Sequence, residues 1–494
     1  MEKVKKKEIS EYMYLAFFAV MITVKMAGFY EGQFVFNAAL VFSAILLVIK
    51  VVLDKYTIRE YVVAALFVLL GGIVYLNTGE KGLLICFAMM LGMKGVSVKK
   101  VFICGATCSG IVLFIKIFGG AFGLIPENYF VSYREGMGVE LRHSFGYAHP
   151  NTMQISTLVL GMMILYLVTK YTSHILLGSL SVFLLNLFVF QYSSSRTGLL
   201  VCVIYICVNI WFYYAKKLRI LEKILSYCAY PAACCISLLA PLLIKQEYGS
   251  RMDALVFSYR LSIAKYYYGN NALSLFGIRL NNPDANVFTL DMAYIYLFLQ
   301  LGLVAFVVIS ALTLFCVHKA VLNNKHAELA LFIGITVAGI WEPFLYNSSF
   351  KNVLFVFAGA VLFGQVKSYE ERRVSFSKQQ VVAGAITAAV VGAFALGIYL
   401  SQTTEPTSIY VNADPPEIVK EEGITPIYLT LDKKDAIVES GGIVLGYMDE
   451  QTPLYGYDAK MALDEYKNRV LSVLVMGCLL GMAGFGLWSR YFQS

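Results

Sequence analysis

Apolar runs of about 20 residues recur from one end of the chain to the other, and they leave few folds open to it. Lipid offers a backbone amide no hydrogen-bond partner, so every run that crosses a bilayer has to be a helix. Read in order, the runs give spans near residues 12–29, 35–53, 61–76, 82–96, 101–123, 151–169, 174–192, 198–214, 224–244, 290–316, 328–345, 352–366, 380–400 and 468–488, about fourteen in all. Composition agrees: of 494 residues 59% are hydrophobic and 15% charged, with a mean hydropathy of +0.68. These values exclude a soluble globular chain. The expected fold is all-α: a polytopic integral membrane protein with about 12 core transmembrane helices and a C-terminal two-helix hairpin bearing a small outer subdomain.

The charges say how the spans are oriented. The basic start MEKVKKK leads into a full-length span with no small-residue cleavage site, which reads as a retained first helix. Placing it inside puts DKYTIRE, GVSVKK, AKKLRILEK, HKAVLNNKHAE and VKSYEERRVSFSKQQ inside too, and all carry Lys or Arg. The net charge of +8 is therefore a topology signal spread between spans rather than a nucleic-acid stripe. Seven of the ten cysteines (Cys86, Cys104, Cys108, Cys202, Cys207, Cys316, Cys478) fall in apolar runs, and Cys228, Cys234 and Cys235 lie in the Tyr227–Leu243 run. This pattern suggests neither a disulfide framework nor a metal site. No phosphate-binding glycine loop of the P-loop or Rossmann kind is present, so ATP-driven work is not indicated.

Six arginines break the positive-inside rule. Arg134, Arg142, Arg196, Arg251, Arg260 and Arg279 all fall in segments assigned to the outer side. Pairing with Glu135, Glu140, Asp253 and Asp284 on a solvated face accounts equally well for Arg134 and Arg279. Arg196 and Arg260 lie near span ends with little acid close in sequence, so a bound anion is the stronger reading for them. The segment from Glu247 to about Gly302 is long for a transporter loop and sets Arg251, Arg260 and Arg279 among tyrosines and asparagines, with Asp291 where the next span begins. The segment QYSSSRTGLL forms a tight polar turn whose amides can face an anion beside Arg196. His143 and His149 are two of only five histidines; His149 opens a His-Pro-Asn that is either a base or a helix cap. Glu342 lies near the outer end of an apolar run and expects a cationic partner. Lys25 and Lys116 are expected to snorkel.

Domain organisation follows the change in character after the twelfth run. Residues 1–366 form the main transmembrane part with outer loops 124–150 and 245–290, and 367–379 are a basic inner linker. Residues 380–494 form a hairpin around the acidic, Pro-interrupted segment 401–467, whose runs IYLTL and GIVLGY are strand-like.

In combination, RHSFGYAHPN, SSSRTGLL, YRLSIAKYYYGNNALSLFG, LDMAYIYLFLQLGL and WEPFLYNSSF resemble the Wzy-type oligosaccharide repeat-unit polymerases of Gram-positive surface polysaccharide clusters, relatives of the O-antigen ligases. The similarity runs from roughly residue 12 to 366, with the elements in the family's order. It implies a metal-independent glycosyltransferase of the bacterial plasma membrane, working on its extracytoplasmic side without a cofactor. It would join sugar repeats carried on undecaprenyl diphosphate, with a flippase and a chain-length regulator as pathway partners. Arg196 and Arg260 are the best matches to the family arginines that contact the diphosphate, with Arg142 and Arg251 as further candidates. His143, Asn151, Tyr294 and Asn347 in the same elements are the candidates for substrate contacts. Ligase relatives carry a His-Asn pair before the Leu/Tyr-rich helix, where this chain has Asp291 and Met292. The base therefore stays open among His149, Asp291 and Glu342. The final hairpin lies outside the resemblance and is similar in layout only to chain-length regulators.

The chemistry is definable from first principles. A departing diphosphate is stabilised by guanidinium groups, which stay charged and bind phosphate oxygens in pairs. The acceptor hydroxyl needs one base. A lipid-linked oligosaccharide flippase, ligase-like transfer to another acceptor, and a structural or sensory membrane protein are the alternatives. A transporter predicts internal pseudo-symmetry and broken helices.

Overall fold

The computed structural model describes residues 2–54, 56–126, 129–134, 138–215, 217–244, 253, 257–281, 289–364 and 377–403, with 410–413, 416–419, 444–447, 453–455 and part of 466–485. Its helices are α1 (Glu2–Met26), α2 (Phe34–Leu53), α3 (Ile58–Thr78), α4 (Gly82–Leu91), α5 (Val98–Ala121), α6 (Pro150–Tyr171), α7 (Ile175–Ser193), α8 (Arg196–Tyr214), α9 (Ile220–Leu243), α10 (Arg260–Asn270), α11 (Leu303–Leu322), α12 (His326–Ala338), α13 (Leu354–Leu362) and α14 (Lys378–Gln402). Among the described residues, ten helices are long and apolar enough to cross a membrane. The chain is a predominantly helical, multi-pass membrane protein.

Local chemistry sets the helix ends. Thr57 and Glu60 form a capping box at the start of α3: Thr57 Oγ1 accepts from the Glu60 amide and Glu60 Oε2 from the Thr57 amide. Ser377 and Gln380 repeat the device at α14. Three of the expected spans are short. The 82–96 run is helical only over ten residues, the 328–345 run over thirteen and the 352–366 run over nine. Gly339 followed by Pro343 stops α12, because proline cannot donate to a continuing helix. The 290–316 run is also divided: a short helix at Ala293–Ile295 passes into a π-turn at Tyr296–Gln300, and α11 starts only after Gly302. Of the final 468–488 run, the described residues are helical.

The chain divides into two compact units, residues 1–112, 155–187 and 196–374 in one, and 113–154, 188–195 and 375–494 in the other. The first holds the large core. Phe102, Tyr166, Phe332 and Phe357 pack edge to face there, at centroid distances of 4.8 to 5.4 Å. Large apolar side chains on α2, α3 and α9 stay exposed, as lipid-facing helices require. The second unit contains α14 and an antiparallel hairpin of β1 (Tyr129–Arg134) and β2 (Gly138–His143), pairing Tyr129 with His143 and Arg134 with Gly138. That hairpin lies in the segment read from sequence as the first outer loop. In the acidic segment, Tyr410–Ala413 pairs with Pro416–Val419 and Val444–Tyr447 with Pro453–Tyr455. The IYLTL run, most of 401–467 and residues 367–376 lie outside the described residues.

Candidate functional site

Arg260 is the first residue of α10 and is buried to 7% exposure. Two consecutive residues of unusual backbone deliver it: Ser258 and Tyr259 both adopt the left-handed conformation, at φ 51° and 63°. Asp253 fixes the helix start. Its carboxylate accepts from the Leu261 amide at 3.0 Å, the Ser262 amide at 2.8 Å and the Ser262 hydroxyl at 2.6 Å. Asp253 is thus a helix cap, which replaces its sequence-based reading as a surface partner for an arginine.

The Arg260 fork faces two carboxylates. Nη2 lies 3.4 Å from Glu342 Oε1 and 3.6 Å from Asp291 Oδ2, while Nη1 donates to the Phe257 carbonyl at 3.5 Å. Little acid is near Arg260 in sequence, but the fold supplies two acids from distant runs. One backbone bond gathers them: the Ala293 amide donates to the Gly339 carbonyl at 3.1 Å. This bond ties the residue just after Asp291 and Met292 to the break just before Glu342. Gly339 is needed there, because a Cβ would stand 2.5 Å from Leu345 and 3.0 Å from Tyr294. The irregular segment 339–353 is largely buried. Non-helical backbone is tolerated at such depth only when protein or a water-lined space satisfies it. Asn352 does part of this, donating Nδ2 to the Leu345 carbonyl at 3.0 Å.

Two features make this centre suited to an oxyanion. Thr197, next to Arg196 at the start of α8, donates Oγ1 to Glu342 Oε1 at 2.7 Å, so the SSSRTG turn reaches the same carboxylate. Arg260 Nε and Trp341 Nε1 are both buried, and neither has a hydrogen-bond partner among the described residues. Each is a buried donor left open, and Arg260 Nε belongs to the guanidinium at this centre. Asp291 differs from Glu342 in access: its side chain is 31% exposed against 6%. Burial pushes the Asp291 carboxyl above its ordinary range, while the Arg260 charge and a Thr289 hydrogen bond pull it back. Such a carboxyl holds and releases a proton nearer neutrality than a surface aspartate.

The remaining sequence candidates have local partners. In the second unit, Arg142 donates Nε to the Ser193 carbonyl at 2.7 Å and Nη2 to Asn151 Oδ1 at 2.6 Å. His149 Nδ1 accepts from the Asn151 amide at 3.1 Å, with Pro150 opening α6, so His-Pro-Asn acts as a helix cap. His143 is buried edge-on to Tyr192. Tyr294, expected to touch substrate, is a packing residue: it is fully buried, and its hydroxyl donates to the Thr336 carbonyl at 2.7 Å. Asn347 uses Oδ1 to accept from the Ser349 amide, which makes it a turn residue. Lys25 does not snorkel; it is buried, 4.5 Å from the Phe36 ring centroid. Arg251 lies outside the described residues. No group of His, Cys, Asp and Glu able to hold a metal occurs among the described residues.

Sequence reading missed Thr197, Trp341, Lys351 and Glu80. Thr197 could have been found as the neighbour of Arg196. Glu80, which accepts from Tyr296 at 2.8 Å and Gln300 at 2.7 Å, carries no sequence signal beyond its place at a span end. No protein-family model matches this sequence, and no curated protein and no solved structure matches it either.

Proposed function

We propose that this chain is a membrane glycosyltransferase that joins oligosaccharide units carried on a lipid diphosphate. Arg260 holds the diphosphate, and Asp291 takes the proton from the acceptor hydroxyl. The observation that carries the reading is the Arg260 centre: a buried guanidinium with one donor open, flanked by one enclosed and one accessible carboxylate. Glu342 and Thr197 orient the guanidinium, and Asp291 is exposed enough to meet a substrate. Preorganised charge in a dry site is commonly the largest catalytic contribution to the departure of an anion. The new glycosidic bond forms at the anomeric carbon as its bond to the diphosphate oxygen breaks. The acceptor proton goes to the base, and the lipid diphosphate leaves as the anion. The bacterial plasma membrane and its outer leaflet belong to this proposal, as do undecaprenyl diphosphate as carrier, a flippase and chain-length regulator as partners, and Arg196 as a second phosphate ligand.

A transporter of lipid-linked oligosaccharide is the second reading. The divided helices at 293–302 and 339–353 favour it, because discontinuous helices line many transport sites. Purified protein in liposomes, given a synthetic lipid-diphosphate repeat unit, separates the two. A ladder of oligomers that Arg260→Lys cuts by about a hundredfold supports the transferase. Movement of labelled lipid between leaflets with no ladder supports the transporter and refutes the transferase.

A further inference from the structure

The first unit also encloses a slot that the Arg260 centre does not use. A cavity of about 250 Å³ lies among α1, α2, α3 and α4, with Phe17, Met21 and Tyr75 in its walls. Helical spacing sets its shape. Leu40, Ser43, Ala44 and Leu47 of α2 line it at i, i+3, i+4 and i+7. Lys81, just before α4, and Leu84, Ile85 and Ala88 within α4 repeat that spacing opposite. Each row is two turns long, about 10 Å. The rows run the same way. At one end Lys81 meets Glu31, which lies ahead of α2, and at the other a Cβ on Gly92, just past α4, would stand 3.0 Å from Leu47.

The slot opens to the bilayer and holds unmet polar groups. Ala44 and Tyr75 at its edge are exposed, among the lipid-facing Val41, Ile45 and Leu76. Ser43 is 1% exposed, and its Oγ has no hydrogen-bond partner among the described residues. Even the carbonyl four residues earlier, the usual partner of a helical serine, is not used. Water is a poor answer, because an apolar cavity of about 150 Å³ already stays dry and takes an apolar guest. Lys81 pairs with Glu31 at 3.3 Å with both side chains 31% exposed, so the ammonium can meet a second anion. Glu31 Oε1 is buried and has no partner among the described residues. The neighbouring Glu80 is occupied by Tyr296 and Gln300.

We propose that this slot binds one glycerophospholipid of the bilayer, with its phosphate on Lys81, an ester carbonyl on Ser43 and one acyl chain running to Leu47 and Ala88. The order of groups in such a lipid, phosphate then ester then chain, is the order of Lys81, Ser43 and Leu47 along the slot. Glu31 Oε1 accepts from the head group. A polyprenyl chain carries no polar atom beyond its phosphate and would leave the Ser43 hydroxyl buried and unpaired, which favours the glycerolipid. None of the lining residues belongs to the Arg260 centre, so the site stands whether or not the chain is a transferase.

Nanodiscs of phosphatidylglycerol, with a trace of the same lipid bearing a diazirine in its acyl chain, test this on the full chain by irradiation and peptide mapping. Bulk lipid reaches Val41 and Leu76, whereas Phe17, Ser43 and Ile85 are at most 4% exposed, so label on these three reports a chain inside the slot. Such label is expected. Lys81→Gln should lower it about tenfold and Ser43→Ala about threefold, the worth of one charge-assisted and one neutral hydrogen bond. Label on Val41 and Leu76 should not change, and the half-exposed Lys81–Glu31 pair contributes little to the fold. Label confined to the exposed residues overturns the proposal, and so does label at the buried three that both variants leave unchanged. A diazirine-bearing geranylgeranyl phosphate that displaces the phospholipid label from Phe17, Ser43 and Ile85 and marks them itself also overturns it, and assigns the slot to an isoprenoid chain.

Discussion

The Arg260–Glu342 contact allows a quantitative test. At 3.4 Å the two charges attract by about 5 kcal/mol at the effective dielectric suited to protein sites. Desolvation offsets much of that, so the pair's net worth is small while the cost of breaking it is large. Glu342→Gln keeps an acceptor for Thr197 but leaves Arg260 with only Asp291, and costs about 3 kcal/mol. Arg260→Met leaves two carboxylates facing each other and costs about 4 kcal/mol, part of it relieved because Asp291 is 31% exposed. In the double variant only Asp291 stays charged, so the loss is no greater than about 3 kcal/mol. A double-mutant cycle on denaturant unfolding in micelles, followed by tryptophan fluorescence, should therefore show a coupling of about 4 kcal/mol, less whatever exposure relieves. The double variant should fold yet form no oligomer ladder. Additive losses, within about 0.5 kcal/mol, would mean that the two residues do not act on each other.

Other outcomes follow from the same geometry. Arg196→Lys keeps the charge but loses the planar fork, and should lower polymer yield at least about tenfold at unchanged expression. For Asp291, burial raises the folded carboxyl above its ordinary 3.8. The stability it contributes is full below that value and is lost as pH rises through the folded value. Asp291→Asn should thus match wild type under acid and melt higher at neutral pH, while abolishing the ladder; equal melting temperatures at neutral pH would refute the raised carboxyl. Asp253→Ala removes three hydrogen bonds at the start of α10 and should cost about 2 kcal/mol in the same unfolding assay. Gly82→Ala would place a Cβ 2.1 Å from the Tyr346 carbonyl. It should destabilise the chain and reduce ladder formation, and wild-type yield and stability would show that segment 339–353 can shift.

The long helices were legible because a bilayer-spanning run is a one-dimensional property: α2 was expected at 35–53 and lies at Phe34–Leu53. The short helices were not, since α12 ends through Gly339 and Pro343, and their effect depends on a neighbouring backbone that composition does not report. Arg260, Asp291 and Glu342 each stood out as charges at apolar boundaries, and the fold brings them together. Their meeting is a matter of long-range packing, visible only in the Ala293–Gly339 bond. His149 and Tyr294 show the converse. Their residue types suit chemistry, but local demands use them as a helix cap and as core.

The turn ahead of α11 has one more consequence. Gly277 and Gly302, both at positive φ, meet backbone to backbone: a Cβ on Gly277 would lie 2.3 Å from the Gln300 carbonyl, and one on Gly302 2.3 Å from the Gly277 amide. The Leu303 and Val304 amides donate to the Ser274 and Leu275 carbonyls, and Ile278 to Gln300, closing the clasp. The clasp joins the stretch following α10 directly to the start of α11, so residues 282–288 need not set the spacing between Arg260 and Asp291. An epitope spliced into 282–288 should leave the chain assembled, giving a handle for antibody labelling of intact and permeabilised cells that reads out which side of the membrane the centre faces.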